Sequence, residues 1–335
     1  MCVNIDKSIR TIALETLELE KRTIEHLIQA INDSFEHIVH FLHRSRGKLI
    51  ITGVGKSAII GKKIVATLNS TGTIAVFMHA GDAIHGDLGI IEKEDTILCI
   101  SKSGNTPEIK LILNIIQNFG NKIIGMSANK DSYLGHRSDF FLWTPVDKEA
   151  DPHNLAPTCS TIAQMAMGDA LAVSLSFLKN FQKEDFAKYH PGGILGKELY
   201  TKVSHLIHLH EKPAVKYDQG IESVIIEISE KRLGATVVLS ENEKIAGIIT
   251  DGDLRRMLMK NKFSAKIQAK DIMTSSPITI DEDELATRAI QQMQKHSITQ
   301  LVVVKNGQYT GMIHLHDLLK EGLTIDKQND NTSRR

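Results

Sequence analysis

Two short segments combine glycine, hydroxyl and ammonium groups in the way that phosphate recognition requires. The first, Gly53-Val54-Gly55-Lys56-Ser57, ends the apolar run KLIITG (48–53) and opens a helical pattern. Glycine lets backbone N–H groups approach an anion at a helix start, so Gly55 and Ser57 are candidate phosphate contacts and Lys56 adds a full charge. A Walker A loop is excluded, because it needs a glycine where the chain has Ile50, and the dinucleotide fingerprint fails at Ala58. The second segment, SKSGNTPEI (101–109), offers the hydroxyls of Ser101, Ser103 and Thr106, a hinge at Gly104, an N-cap at Thr106 and Pro107 in the first helical position. One hydroxyl suffices for a cap; three point to a second anion cradle. His79, His85 and Asp87 share one loop, but their spacing matches no zinc signature, so no metal is expected there. His85 is read instead as a candidate contact to a ligand hydroxyl. His205, His208 and His210 are read as part of an exposed linker.

Strands must deliver these loops. The runs 48–53, 74–78, 96–101, 122–127 and 140–145 are short and apolar on both faces, with helical patterns between most of them. That alternation predicts a parallel α/β sheet covered on both sides, whose ligands sit at the carboxyl ends of the strands. Ahead of it, an apolar stripe from Ser8 to Arg46 predicts helix that packs on the sheet domain or on a partner subunit; behind it, a further helix is expected over Thr158–Leu178. After Tyr200 an internal repeat appears at an offset of 64, matching Pro213 with Pro277, Gly247 with Gly311, Asp253 with Asp317 and Leu254 with Leu318. Each unit reads strand, helix (Ile221–Lys231, 284–295), strand (Ala235–Leu239, 300–304), strand (Ile245–Thr250, 309–314), helix. The expected division is thus residues 1–200, 201–264 and 265–327, with a polar, disordered tail at 328–335.

The 335 residues suit about two domains. Forty Lys and Arg balance forty Asp and Glu, so no global charge draws the chain to nucleic acid or an anionic membrane. Three separated cysteines, Cys99 among them in a buried-looking run, suit a reducing compartment. The N-terminus lacks a signal-peptide core, and no segment reads as a membrane span; a cytoplasmic protein is expected.

The glycine-lysine turn, the 101–109 loop, HAGDAIHGDLG (79–89), KEADPHNLAPTCST (148–161) and HPGGILGKEL (190–199) together resemble the SIS (sugar isomerase) domain of the D-arabinose 5-phosphate isomerases. The repeats, with GIITDGDLRR (247–256), resemble the CBS pair that many of these enzymes carry. The resemblance spans about residues 8 to 325. It implies an α/β, SIS-type doubly wound parallel sheet with helices on both faces, followed by a tandem CBS (α+β) pair, in a homotetramer. It also implies interconversion of D-ribulose 5-phosphate and D-arabinose 5-phosphate through a cis-enediol, with no cofactor, supplying 3-deoxy-D-manno-octulosonate for lipopolysaccharide or capsule.

The positions matching the family's functional residues are Lys56, Glu108, Glu149 and His190, with Ser160 and Thr161 as further substrate contacts; Cys159 stands where the family more usually has Ser, and SKSGNT where it often has S-N-S-G-E-S. Enediol chemistry needs a base near the carbons and an acid near the oxygens. Glu149 is assigned the carbon base with a carboxyl raised by burial, His190 the oxygen acid/base or ring opener, Glu108 the orientation of hydroxyls and Lys56 the phosphate or an oxyanion; these roles are exchangeable at this level. In the CBS pair, Thr250 and Asp253 of the first repeat and Asp317 of the second match positions where adenosine-binding members hold ribose, so a nucleotide or nucleotide-sugar would bind asymmetrically. Two rivals share the same domain: another sugar-phosphate isomerase, and a non-catalytic sugar-phosphate sensor. The sensors normally carry a helix-turn-helix, and no basic recognition helix precedes the sheet.

Overall fold

The computed structural model describes residues 8–259 and 266–323; Cys2, the tail at 328–335 and the outer ends of both repeats lie outside this description. The contacts fall into two compact units that divide between Phe186 and Ala187, ahead of the expected boundary at 200.

In the first unit, the stripe from Ser8 to Arg46 forms two helices, α1 (Ile9–Gln29) and α2 (Asp33–Arg44). The break has a local cause: Asn32 is extended and its side chain accepts from Ser34 N, starting a new helix. Then come β1 (Leu49–Gly53), α3 (Gly55–Ser70), β2 (Ala75–His79), α4 (Ala80–Ala83), β3 (Thr96–Ile100), α5 (Pro107–Phe119), β4 (Lys122–Ser127), α6 (Tyr133–Arg137), β5 (Phe140–Trp143) and α7 (Cys159–Leu178). All five strands are parallel, in the order β2-β1-β3-β4-β5. β1 and β3 are buried throughout, as expected of strands covered on both faces.

Alternation along the strands builds two cores. Leu49, Ile51, Leu98, Ile100, Ile124 and Met126 meet α1, α2, α3 and α7 on one face. Ile50, Ile97, Cys99 and Ile123 meet α4, α5 and α6 on the other. Burial pushes the Cys99 thiol up to about 12, so it packs as an apolar group. By length and composition α7 alone among the described helices is long and apolar enough to cross a membrane. Its Met167, Leu171 and Leu175 are buried against the sheet, as in a core helix.

The division runs through α8 (Lys183–Tyr189). The second unit continues with α9 (Ile194–Tyr200), β6 (Ala214–Lys216), α10 (Ile221–Lys231), β7 (Ala235–Leu239), β8 (Ile245–Thr250), α11 (Asp251–Met259), α12 (Ala269–Ile272), β9 (Thr274–Ser275), β10 (Thr279–Asp281), α13 (Ala286–His296), β11 (Gln300–Lys305), β12 (Gln308–His314) and α14 (Leu315–Lys320). The repeats form separate sheets, β6-β7-β8-β9 and β10-β11-β12. They exchange their first elements: β9, from the second repeat, pairs with β8, whereas Val203, Leu206 and Ile207, from the first, are buried in the core of the second. Residues 203–209 are therefore two short 3-10 turns anchored in the second repeat and not a linker, although His205 and His208 are exposed as expected.

Candidate active site

In a sheet of order 2-1-3-4-5 the connections leave β1 and β3 in opposite directions, and the crevice between them is where ligands bind. Gly53 and Ile100, the last residues of those strands, are in register, which sets the loops 53–57 and 101–106 side by side. Gly55 adopts φ +57°, in the left-handed region, and a Cβ there would meet no atom within 4 Å: the backbone is open to an incoming group. No side chain caps the α3 N-terminus. Lys56 is exposed and Ser57 half-buried beside it.

The second loop is more tightly built. Gly104 sits at φ +66°, where a Cβ would lie 2.0 Å from Ser132 Oγ, so only glycine fits. Ser101 is buried; its hydroxyl shares a 2.8 Å hydrogen bond with Thr106 Oγ1 and accepts from Gly104 N at 3.1 Å. Ser103 is exposed and accepts from Asn105 N at 3.2 Å. Pro107 opens α5 as expected, but Thr106, at the N-cap, makes no side-chain capping bond. Its hydroxyl is engaged with Ser101, which leaves the first N–H groups of α5 for an anion. Glu108 lies half-buried in that first turn.

Glu149 joins this loop from the far side. Its side chain is wholly buried, and Lys102 Nζ stands 2.6 Å from Oε1. Oε2 accepts from Thr158 N at 2.8 Å, Thr158 Oγ1 at 3.1 Å and Ser160 N at 3.1 Å, which caps α7. Oε1 has no aligned hydrogen bond, so the Lys102 contact is an ion pair in geometry. These contacts correct the expectation of a raised carboxyl. Burial does push upward, but the Lys102 ammonium and the donors of Ser160 and Thr158 outweigh it and bring the carboxyl down to about 2. The residue missed in the sequence is Lys102: it lies between two loop serines, but only the fold brings it to position 149. Ser160 is buried with Oγ unpartnered, and the Thr161 hydroxyl donates back to Thr158 O at 2.7 Å.

His85 is exposed in the loop after β2, the other neighbour of β1. His190 falls in the second unit, half-buried, its N–H donating to Ala187 O and its carbonyl accepting from Gly193 N. The loops of the first unit thus gather Lys56, the three hydroxyls, Glu108 and Glu149, whereas His190 belongs to the other body.

In the CBS repeats the two aspartates are held differently. Asp253 accepts from Thr250 N and Oγ1 through one oxygen and from Arg256 through the other. Burial raises its carboxyl, but Thr250 and Arg256 leave it lowered overall. Asp317 pairs with His210 Nε2 at 2.7 Å, and the rings of His314 and His316 stack beside it, 5.0 Å apart.

The SIS domain profile matches residues 41–174, and the CBS domain profile matches 203–260 and 269–323. Arabinose 5-phosphate isomerase KdsD of Francisella tularensis is 44% identical over 313 residues, covering 92% of this chain and 95% of its own. The KdsD of Pseudomonas aeruginosa is 40% identical over 313 residues, covering 93% and 96%. Among solved structures, c3406 of E. coli CFT073 in complex with arabinose 5-phosphate is 37% identical, with a TM-score of 0.54, over 57% of this chain and 100% of that one. With identity of this extent running through both the SIS and CBS segments, the chain belongs to the arabinose 5-phosphate isomerase family.

Proposed function

We propose that this chain interconverts D-ribulose 5-phosphate and D-arabinose 5-phosphate, the expected precursor of 3-deoxy-D-manno-octulosonate. One observation carries the reading: a fully buried carboxylate, Glu149, meets an anion-ready loop through Lys102 at the carboxyl ends of the central strands. The 5-phosphate docks on the loops 53–57 and 101–106, with Ser101, Ser103 and Thr106 hydroxyls and the N–H groups of Gly55 and Ser57 as donors and Lys56 as the counter-charge. Glu149 Oε1 removes a C1 proton from the open-chain ketose, the pair of electrons forms the C1–C2 double bond, and the same carboxyl returns the proton to C2. A proton passes from the C1 hydroxyl to the C2 oxygen, for which His190 is assigned, while Glu108 and His85 orient hydroxyls and Ser160 and Thr161 line the substrate. Incubation with a panel of pentose and hexose phosphates, following ketose against aldose, tests this: turnover confined to another sugar phosphate, or binding without turnover, overturns it.

Removing both serine hydroxyls (Ser101→Ala with Ser103→Ala) is expected to raise KM for the phosphorylated sugar by at least tenfold, since hydrogen bonds to charged groups are worth about 1.5–3 kcal/mol. Initial-rate kinetics check this, and an unchanged KM moves the phosphate elsewhere.

The reading assigns catalysis to residues 1–200 and regulation to the repeats at 201–264 and 265–327, in a cytoplasmic homotetramer. Ile9, Leu17 and Ile28 on α1 and Val173 and Phe177 on α7 are exposed apolar residues that suit subunit contacts. A nucleotide or nucleotide-sugar at the CBS pair is expected to raise the melting temperature of the full chain. Asp253→Ala is expected to reduce that shift more than Asp317→Ala, because Thr250 and Arg256 surround only the first carboxylate; equal losses remove the asymmetry.

A further inference from the structure

Lys102 occupies a position where two demands meet. Its backbone is pinned to the end of β4: its carbonyl accepts from Ser127 Oγ at 3.0 Å and from Ala128 N at 3.1 Å. Only its side chain is free to swing, and that side chain remains 40% exposed although the carboxylate it pairs with is fully buried. The same residue lies between Ser101 and Ser103, in the loop that receives the phosphate. Its contact to Glu149 is separate from the rest of that carboxylate's coordination, because Oε2 holds the three donors at the start of α7 whereas Oε1 faces Lys102.

We propose that Lys102 is a positioning residue that alternates between two anions: it pairs with Glu149 in the free protein, and the phosphate dianion draws it away, releasing Oε1 as the proton-accepting atom. This rests on the reading of Glu149 as the carbon base. A carboxylate matched to an ammonium is a weak base, whereas a buried one relieved of that ammonium binds protons more strongly. Departure of Lys102 leaves Oε2 capped by the start of α7, so the side chain keeps its place while its basicity rises. The base is then strong only when a phosphorylated ligand is seated, which couples recognition at one end of the sugar to proton transfer at the other. No other charge competes for Oε1 among the neighbouring described residues: Asp147 and Lys148 are exposed, and the Asp151 carboxylate is taken by the N–H groups of His153, Leu155 and Ala156. The remaining contacts, Thr158 and Ser160 of α7, are neutral donors.

Lys102→Gln and Lys102→Arg in the full-length protein separate this from a structural role. The sign follows from the ion pair. In the wild type the Glu149 carboxyl of the free protein titrates at about 2, so kcat/KM has no acid limb from this group above pH 4. In Lys102→Gln an acid limb is expected to appear between about pH 4 and 6. KM at pH 7.5 is expected to rise at least tenfold with kcat within about threefold, and Kd for inorganic phosphate by calorimetry is expected to rise in parallel. Lys102→Arg is expected to restore both, since it keeps the charge. An unchanged KM and phosphate affinity overturns the proposal, and so does a hundredfold loss of kcat with KM unchanged, which would place Lys102 in the chemical step. Glu149→Gln, measured alongside, keeps the two ideas apart: an active Glu149→Gln removes the base assignment beneath the proposal, whereas an inactive one with an unaltered Lys102→Gln profile removes the alternation alone.

Discussion

Glu149→Gln is expected to lower kcat by about 10²–10⁴-fold, the range that a general base contributes, while KM for the sugar phosphate does not rise. The amide removes the basic electron pair at Oε1 and the partner of Lys102, which is left free for the phosphate. The substitution also disturbs α7, because Oε2 accepts three donors at 2.8–3.1 Å and an amide offers them one weaker acceptor. A loss of about 2–3 kcal/mol in unfolding free energy is expected, because the helix cap and the ion pair with Lys102 go together. The two effects separate by pH. The carboxyl of the folded protein lies at about 2 against an ordinary 4.5, so its stabilising contribution is complete above 4.5 and is lost as pH falls toward 2. The variant lacks that acid-side contribution, so the two stability curves converge as pH drops through this window. Denaturant unfolding at pH 7, 4 and 3 reads the convergence, and single-turnover kinetics on the folded variant read the chemistry. Wild-type turnover would falsify the assignment of Glu149, whatever its effect on stability.

How much of this is legible in the sequence depends on the range of the interaction concerned. The five strands and the helices α3, α5 and α7 follow from apolar runs and start signals within a few residues, and they stand within a residue or two of the positions read from the sequence. The internal repeat at 64 likewise marks both CBS units, because the same local pattern occurs twice. Long-range contacts do not follow. His205, His208 and His210 read as part of an exposed linker, yet Val203 and Ile207 beside them are buried in the second repeat because the repeats exchange elements. The Glu149 carboxyl reads as raised, since burial is what an apolar setting suggests. Its actual setting is Lys102 and the start of α7, 47 and about ten residues away in sequence. Even Thr106, correctly placed ahead of α5, differs from its reading in the hydroxyl, which turns to Ser101 and leaves the helix start open. In each case an element's type is local information and a side chain's partner is not.

His190 yields the sharpest test of where catalysis ends along the chain. It follows the division at Phe186, and the segment Ala187–Tyr200 folds within the second unit. There the α9 residue Lys197 donates to Glu321 at 3.0 Å, and Thr201 O accepts from Ala286 N. A chain ending at Phe186 keeps Lys56, Ser101, Ser103, Glu108 and Glu149 but lacks His190, whereas a chain ending at Lys202 keeps all six. If His190 moves the proton between the two sugar oxygens, the shorter chain is expected to lose about 10²–10⁴-fold in kcat relative to the longer one. His190→Asn in the full chain is expected to match that loss. The longer truncation is expected to fold, since the five-stranded sheet and both of its cores lie ahead of its end. It also removes Glu321 and Ala286, which hold the segment around His190, so a moderate fall in kcat against the full chain is expected from looser positioning. Circular dichroism and melting curves establish that each chain is folded before rates are compared. Equal turnover by the two truncated chains would exclude His190 from the chemistry. A folded but inactive longer truncation, together with an active His190→Asn, would show that the repeats shape the active site by some other route.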